Sequence, residues 1–162
     1  MIYQETGAVF SNCWAYRYLL WRAWDETAPR VLFVGLNPSI AGACEDDRTV
    51  KRCIGFATRA GYGGFYLTNL FGLISTATSG LVTSTAPEGN PDNDVYIHKA
   101  AARCAAVIAA WGDLGTHRGR DSVVLPLLRG YFPSVHCLTK TASGNPGHPL
   151  YLKSSCTPIL FP

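Results

Sequence analysis

The sequence contains no apolar run of about 18 residues, the length that a helix needs to cross a bilayer, so no membrane partner is expected. Its first residues lack the basic-then-apolar order of a secretory signal, which favours a cytoplasmic location. Charge is scarce, since 15% of the residues are charged and the net charge is +3. A strongly basic domain would by itself indicate a nucleic-acid partner, whereas this charge only permits one.

Metal-binding cysteine patterns are missing as well. No two of the six cysteines have the Cys-x-x-Cys spacing, and no group of cysteines and histidines has the spacing of a zinc site. Several cysteines lie inside apolar runs, which favours reduced and buried thiols. We therefore expect no metal and no cofactor. The cysteines are Cys13, Cys44, Cys53, Cys104, Cys137 and Cys156.

The apolar content is sufficient for one packed domain. Of the 162 residues, 48% are apolar, and neither an internal repeat nor a break in composition indicates a second domain, so a single domain over 1–162, favoured as a monomer, is expected. Four short apolar runs have the length and β-branched content of buried strands in a parallel sheet. These runs are Val31–Val34, Gly64–Leu67, Ala106–Ala110 and Ser134–Leu138.

Helical patterns separate these strands. The helices are expected to begin at Asp46 and Asp47, at 92–94 and at Asp121, with Gly130 ending the third. The resulting β-α-β-α-β-α-β order predicts an α/β fold, a three-layer α/β/α sandwich around a mainly parallel four-stranded sheet.

Two segments are less regular. The stretch Phe10–Trp24 carries apolar residues at both strand parities, which favours an aromatic-rich edge strand or hairpin, with a short helix as the alternative. The stretch Ile74–Asn93 is rich in Ser, Thr, Gly and Pro, and a structureless loop of that length is usually functional or mobile.

Each predicted strand is followed at once by a loop of small and polar residues. Ligands of open α/β sheets bind in the crevice outside the carboxyl ends of the strands, so these loops are expected to form one site. The candidate site residues outside the helices are Gly35, Leu36, Asn37, Pro38, Ser39, Asn69, Phe71, His148, Leu150 and Tyr151.

The chemistry of three of these residues suits a nucleobase. The amides of Asn37 and Asn69 can each donate and accept hydrogen bonds, as the edge of a base requires. Asn37 could also orient a water molecule, but a neutral amide cannot act as a strong base. Cleavage of an N-glycosidic bond through an oxocarbenium-like state fits that limit, with His148 donating to the departing base or to a phosphate.

Simpler interpretations of the same residues remain open. Asn37 before a proline is also typical of a turn, Asn69 of a strand end and His148 of a surface loop. Asp46 and Asp47 are most simply helix-capping acids, although Asp47 is included among the substrate-binding candidates.

The basic residues form two local clusters, at 48–52 with Arg59 and at 117–120. Their simplest interpretation is a solvated surface. The alternative is contact with nucleic-acid phosphates through Arg48, Lys51, Arg52 and Arg118.

These motifs resemble those of the uracil-DNA glycosylase superfamily: Gly-x-Asn-Pro after the first strand, Thr-Asn after the second and a late His-Pro loop. The resemblance implies that Asn37 positions the attacking water, Asn69 reads the base and His148 belongs to the late loop. It also implies that Leu150 or Tyr151 enters the duplex, and Phe71 is a candidate stacking ring.

Over nearly its whole length, the chain also resembles a family of uncharacterised bacterial and phage domains. The resembling segments include Tyr16-Arg17-Tyr18, Leu36-Asn37-Pro38-Ser39, Asp46-Asp47-Arg48-Thr49, Asn69-Leu70-Phe71 and His148-Pro149-Leu150-Tyr151.

Three functions follow as hypotheses. The first is a monofunctional glycosylase that removes a flipped uracil-like or modified base from duplex or single-stranded DNA. The second is an N-glycosidase acting on free nucleotides or nucleosides, which needs no extended basic surface. The third is a module that binds a base or a nucleic-acid end without catalysis.

Overall fold

A computed structural model describes residues 1–39, 42–43 and 45–162. Ile40, Ala41 and Cys44 therefore lie outside the described residues, including the part of the predicted first loop that Ile40 and Ala41 form. The other cysteines carry free thiols, and Cys53 and Cys137 are buried as expected. Cys13 is exposed instead, because it lies in the turn between the first two strands.

A mixed sheet of seven strands, counted over the described residues, forms the middle layer of the α/β fold. The strands are β1 (Glu5–Phe10), β2 (Arg17–Ala23), β3 (Arg30–Gly35), β4 (Gly64–Asn69), β5 (Ala106–Ala109), β6 (Val135–Cys137) and β7 (Ile159–Phe161). The order across the sheet is β1-β2-β4-β3-β5-β6-β7.

The four strands predicted from the apolar runs are β3, β4, β5 and β6, and they pair in parallel at the centre of the sheet. The predicted size of the sheet is nevertheless too small. The N-terminal segment forms the β1–β2 hairpin, and β2 pairs antiparallel with β4, so β2 is not an edge strand. At the other side, β7 pairs antiparallel with β6. A strand as short as β7 carries no recognisable sequence period.

Helices cover both faces of the sheet. They are α1 (Arg48–Arg59), α2 (Thr78–Thr83), α3 (Asp92–Ala101) and α4 (Arg120–Tyr131). Along β3, Val31 and Phe33 pack in one buried cluster with α1, whereas Leu32 and Val34 pack in a second cluster with α3 and α4. This alternation of buried residues on two faces gives the three layers that the sequence predicts.

The helix ends differ in detail from the prediction. Asp47 caps α1 as expected, with its side chain accepting from the Val50 N–H. Asp46 does not share that task, because its carboxylate pairs with the buried Arg22 at 2.8 Å. Gly130 does not end α4, which stops at the extended backbone of Phe132.

The stretch Ile74–Asn93 is not one structureless loop. It contains the short helix α2, and the Ser75 N–H donates to the Pro38 carbonyl at 2.9 Å.

None of the helices in the described residues has both the length and the apolar character that a membrane span requires.

Candidate functional site

A cavity of about 240 Å³ opens at the carboxyl ends of the central strands, where Gly35, Asn69 and Ala110 end or follow β3, β4 and β5. β3 lies between β4 and β5, and the helix that follows β3 packs on the face of the sheet opposite to the helices that follow β4 and β5, which is the geometry that creates a ligand crevice. Pockets that bind drug-sized ligands measure roughly 300–1,000 Å³. The cavity therefore suits one small ring system.

Most of the predicted substrate and catalytic residues line this cavity. They are Gly35, Leu36, Asn37, Ser39, Asp47, Asn69, His148, Leu150 and Tyr151. The lining residues that the prediction missed are Arg17, Phe33, Thr49, Cys53, Leu67, Ser75, Thr76, Thr78, Ala110 and Pro149.

The orientation of the Asn37 amide is fixed by the loop around it. Its Nδ2 donates to the carbonyl oxygens of Pro38 at 3.1 Å, Ser75 at 3.0 Å and Leu73 at 3.4 Å. The reverse orientation would place Oδ1 against three acceptors, so the hydrogen-bond network selects this one. Oδ1 is thereby left to accept a hydrogen bond from a ligand or a water molecule.

Asn69 presents an amide without a partner among the described residues. Its side chain is 4% exposed, lines the cavity and makes no hydrogen bond within the described part of the chain. A Cβ atom at position 35 would lie 2.6 Å from Asn69 Oδ1, so Gly35 leaves the space that this amide occupies. An amide that lines a cavity in this way can form hydrogen bonds with a water molecule or a ligand that enters it.

Two buried side chains hold the backbone on which Asn69 stands. The Asn93 Nδ2 donates to the carbonyl oxygens of Asn69 at 3.0 Å and Leu70 at 3.2 Å. Arg120 donates to the same Leu70 carbonyl at 2.7 Å, and its charge is paired with Asp94. Helices α3 and α4 therefore fix the end of β4 from the face opposite α1.

His148 enters the cavity from the loop after β6 in a defined tautomer. Its Nδ1 accepts from the Leu150 N–H at 3.3 Å, so the ring proton of the neutral form is on Nε2. Burial lowers the pKa of His148, and the charge of Asp47 offsets only part of that effect. The ring is consequently a neutral hydrogen-bond donor at pH 7.

Asp47 lines the cavity, but both of its carboxylate oxygens accept hydrogen bonds from neighbouring residues. One carboxylate oxygen accepts from the Val50 N–H at 2.8 Å and the other from the Ser39 hydroxyl at 2.7 Å. Acceptance at both oxygens is the pattern of an ionised carboxylate.

Arg17, at the start of β2, brings a buried positive charge to the cavity. Its side chain is 2% exposed, and burial lowers its pKa to about 10 despite the opposing effect of Asp47. The guanidinium therefore stays protonated at pH 7. The alternation along 10–24 did not reveal it, because an arginine in such a pattern is usually on the surface; only its place in a segment of family resemblance marked it.

Phe71 is not a stacking ring. It is 0% exposed and packs in the core cluster beneath α3 and α4, 5.8 Å from the His117 ring and outside the cavity. Among the described residues, the rings that line the cavity are those of Phe33, His148 and Tyr151, and Phe33 lies on β3. Pro38 is also outside the lining, and its carbonyl serves Asn37 and Ser75 instead.

Leu150 and Tyr151 stand at the mouth of the cavity in a short 3-10 turn, Pro149–Tyr151. The Tyr151 side chain is 82% exposed and its ring centroid is 5.7 Å from that of His148. A large exposed aromatic ring beside a pocket is available for contact with a macromolecule.

The four predicted phosphate contacts differ in availability. Arg48 and Lys51 are exposed on the first turn of α1, a helix whose Thr49 and Cys53 line the cavity. Arg118 is exposed too, but it pairs with Glu88 at 2.8 Å.

Arg52 is the least available of the four. Its guanidinium donates to the carbonyl oxygens of Pro149 and Leu152 and lies 5.0 Å above the Phe56 ring. It ties α1 to the loop that carries His148.

No group of three or more His, Cys, Asp or Glu side chains in the described residues could hold a metal ion. The lining of the cavity likewise carries amides, hydroxyls and a guanidinium as its main polar groups, which suits an organic ligand better than a cation.

The family comparison matches residues 17–150 to DUF1643, a family of proteins of unknown function. Because the match covers most of the chain, the chain belongs to this family, and the predicted resemblance to an uncharacterised domain family is confirmed. No curated protein and no solved structure matches the chain.

Proposed function

We propose that this protein is a DNA-base N-glycosylase of the uracil-DNA glycosylase type, which hydrolyses the bond between deoxyribose and a uracil-like or modified base. The observation that carries the proposal is that two amides, Asn37 and Asn69, and the imidazole of His148 line one cavity of about 240 Å³. Asn37 follows β3, Asn69 is the last residue of β4 and His148 lies in the loop after β6, and that convergence is what a base pocket requires.

Recognition of the base falls to Asn69. Its amide can donate to a ring carbonyl while accepting from a ring N–H, and it has no competing partner among the described residues. Phe33 and Leu67 supply the apolar surface that a flat ring needs.

Water positioning falls to Asn37, whose Oδ1 accepts from a water molecule near the sugar. A neutral amide orients that water but does not remove its proton, so bond cleavage must run ahead of attack. A transition state with oxocarbenium character forms when the glycosidic bond breaks before the water attacks. His148 Nε2–H donates a hydrogen bond to the carbonyl oxygen of the departing base, where charge develops.

Contact with DNA is assigned to the surface around the cavity. Arg48 and Lys51 meet phosphates, and Leu150 or Tyr151 fills the space that the flipped base leaves in the stack. The resemblance to glycosylases in the order of these motifs supports the same arrangement.

A glycosylase assay tests the proposal. Duplex and single-stranded oligonucleotides carrying uracil, hydroxymethyluracil or hypoxanthine are incubated with excess protein, and free base is measured in single turnover. Asn37→Ala is expected to slow release at least about 100-fold, because the water loses its acceptor. Asn12→Ala, which removes an exposed asparagine from the β1–β2 turn, is the matched control. Absence of release from every substrate would contradict the proposal.

A second candidate is an N-glycosidase acting on free nucleotides or nucleosides. The engagement of Arg52 and Arg118 within the protein favours it, because few cations then remain for a long DNA track. Release of base from monophosphates but not from oligonucleotides would select it. Tight binding of a base-modified duplex without turnover would instead select the non-catalytic reader.

A further inference from the structure

We propose that the protein has a second ligand site, a groove between the β1–β2 hairpin and α3 that binds a small planar aromatic molecule carrying a negative charge. This hairpin groove has a volume of about 280 Å³ and shares no lining residue with the cavity at the strand ends. The inference therefore goes beyond the proposed function and does not depend on it.

The sheet side of the hairpin groove comes from one face of three neighbouring strands. Trp21 of β2 stands opposite Gly7 of β1 and Tyr66 of β4 in the register of the sheet. A Cβ atom at position 7 would lie 2.3 Å from the Trp21 indole, so Gly7 leaves the space in which the indole lies. The Trp21 and Tyr66 ring centroids are 6.4 Å apart, and both residues line the groove together with Val9. The sheet therefore presents an aromatic surface to a ligand.

The helix side of the hairpin groove is a stripe of α3 and of the turn that follows it. Its residues are spaced by three or four positions, as neighbours on one helix face are. They are Tyr96, Lys99, Ala100 and Arg103. The Tyr96 ring stacks on Tyr18 with centroids 5.5 Å apart, and the Lys99 ammonium lies 4.7 Å from the Tyr96 centroid. Tyr96 and Lys99 are thus held in place by the protein itself, which lowers the entropy cost of binding.

The charges of the hairpin groove favour an anion. Lys99 and Arg103 are both exposed, and neither makes an ion pair within the described part of the chain. Like charges four positions apart repel each other, and an anion placed between them relieves that repulsion. Among the described lining residues the one carboxylate is that of Glu5, which pairs with Arg30 at 2.6 Å. The balance of charge at the groove is therefore positive.

These features together define the class of ligand. Aromatic walls favour a flat ring, because ring–ring contacts stabilise a complex beyond the burial of apolar area. Lys99 and Arg103 favour a carboxylate, sulfonate or phosphate group on that ring, since charge-assisted hydrogen bonds are strong. Pockets for drug-sized ligands begin at roughly 300 Å³, so the hairpin groove suits a molecule of about two fused rings.

Calorimetric titration with two probes of nearly the same shape tests this class. At pH 7, 2-naphthoate carries a negative charge and 2-naphthol is neutral. We expect 2-naphthoate to bind wild type roughly 3- to 30-fold more tightly than 2-naphthol, the effect of two exposed ion pairs. Equal affinities, or no binding of 2-naphthoate at millimolar concentration, would overturn the proposal.

A filling variant tests whether the probes bind in the hairpin groove. Val9→Phe adds a ring to the groove and changes no residue of the strand-end cavity. It is expected to weaken the binding of both probes at least about 10-fold, because the added ring occupies their space. Val123→Phe, at an exposed position of α4, is the matched control and should leave both affinities unchanged. Affinities unchanged in Val9→Phe would place the probes elsewhere and overturn the proposal.

A charge variant tests the anionic half of the ligand. Lys99→Glu should weaken the binding of 2-naphthoate roughly 10-fold and leave that of 2-naphthol nearly unchanged. Arg129→Glu makes the same change of charge at an exposed position of α4 and is the matched control. A preference for 2-naphthoate that Lys99→Glu retains would overturn the proposal. Where Val9→Phe fails to fold by circular dichroism, the result for Lys99→Glu decides.

Sedimentation equilibrium separates a small ligand from a second copy of the chain, because β1 is an end strand of the described sheet. We expect a monomer at all concentrations. A dimer that Val9→Phe dissociates would show that the hairpin groove is an interface between copies, and would overturn the proposal. Binding of the probes and release of a base are separate measurements, so this site and the proposed glycosylase fail independently.

Discussion

The hydrogen bonds around a single side chain decide what that side chain can do in this cavity. Asn37 could have been a turn residue, and its Nδ2 does hold the 73–75 backbone in place. The same bonds leave Oδ1 as the polar atom that can accept from a ligand. The hydrogen bonds by which Asn37 holds the loop therefore also determine that Oδ1 is the atom available to accept a hydrogen bond in catalysis.

His148 is the residue whose protonation should affect stability. Burial holds its folded pKa below the ordinary value near 6.5, so the unfolded chain binds a proton more readily than the folded one. The stability that His148 allows at pH 7 is consequently lost as the pH falls below about 6.5. We expect the melting temperature of wild type to fall more between pH 7 and pH 5 than that of His148→Gln. Equal falls in the two proteins would show that His148 is not buried in its neutral form.

At the scale of elements, α1 and the loop after β6 form one wall of the cavity because Arg52 joins them. Its guanidinium binds two carbonyl oxygens of that loop, at Pro149 and Leu152. The sequence shows the helix and the loop separately, but nothing in it links positions that are about a hundred residues apart along the chain.

Arg52→Ala should therefore loosen the loop that carries His148. Base release is expected to slow roughly 10- to 100-fold, because the donor is no longer held in place. Arg59→Ala is the matched control, since both arginines lie 5.0 Å from the Phe56 ring and only Arg52 has hydrogen bonds to the loop among the described residues. Single-turnover rates of the two variants make the comparison. Equal effects would show that stacking on Phe56, and not the loop bond, is what matters.

The elements also show how far the sequence could be interpreted. The runs that became β3, β4 and β5 are continuous and apolar because both faces of these strands are buried, so a single pattern marks them. The sequence predicted an edge strand or hairpin for this segment, but it did not predict that β2 would pair with β4. That pairing depends on residues distant in sequence. Phe71 was misassigned for the same reason: its neighbours in the core, and not its neighbours in sequence, decide its environment.

At the scale of the whole molecule, the net charge of +3 is too small to distinguish DNA from a small nucleotide as the ligand. Which of the two binds therefore depends on a few exposed cations. Arg48 and Lys51 are both exposed on the first turn of α1, a helix whose Thr49 and Cys53 line the cavity. If they bind phosphates, the affinity for duplex DNA must fall as salt rises, because each neutralised phosphate releases counterions.

The double variant Arg48→Gln/Lys51→Gln should reduce the slope of log affinity against log salt by about 0.9 for each phosphate that the variant no longer neutralises. Arg103→Gln/Arg129→Gln removes the same number of charges from exposed positions elsewhere and should leave the slope unchanged. Fluorescence anisotropy with a labelled duplex at several salt concentrations measures both. A wild-type affinity independent of salt would favour a free nucleotide as the ligand.

The sequence by itself determined the parallel core, the cap of α1 at Asp47 and the placement of Asn37, Asn69 and His148 at or after the carboxyl ends of strands, because hydrophobic period and local hydrogen bonding act between near neighbours. Only the tertiary structure decided that Arg17 lies buried in the cavity, that Phe71 lies outside it and that Arg52 joins α1 to the late loop. Those outcomes depend on which surfaces the sheet order brings together, and distant segments meet only when the chain folds.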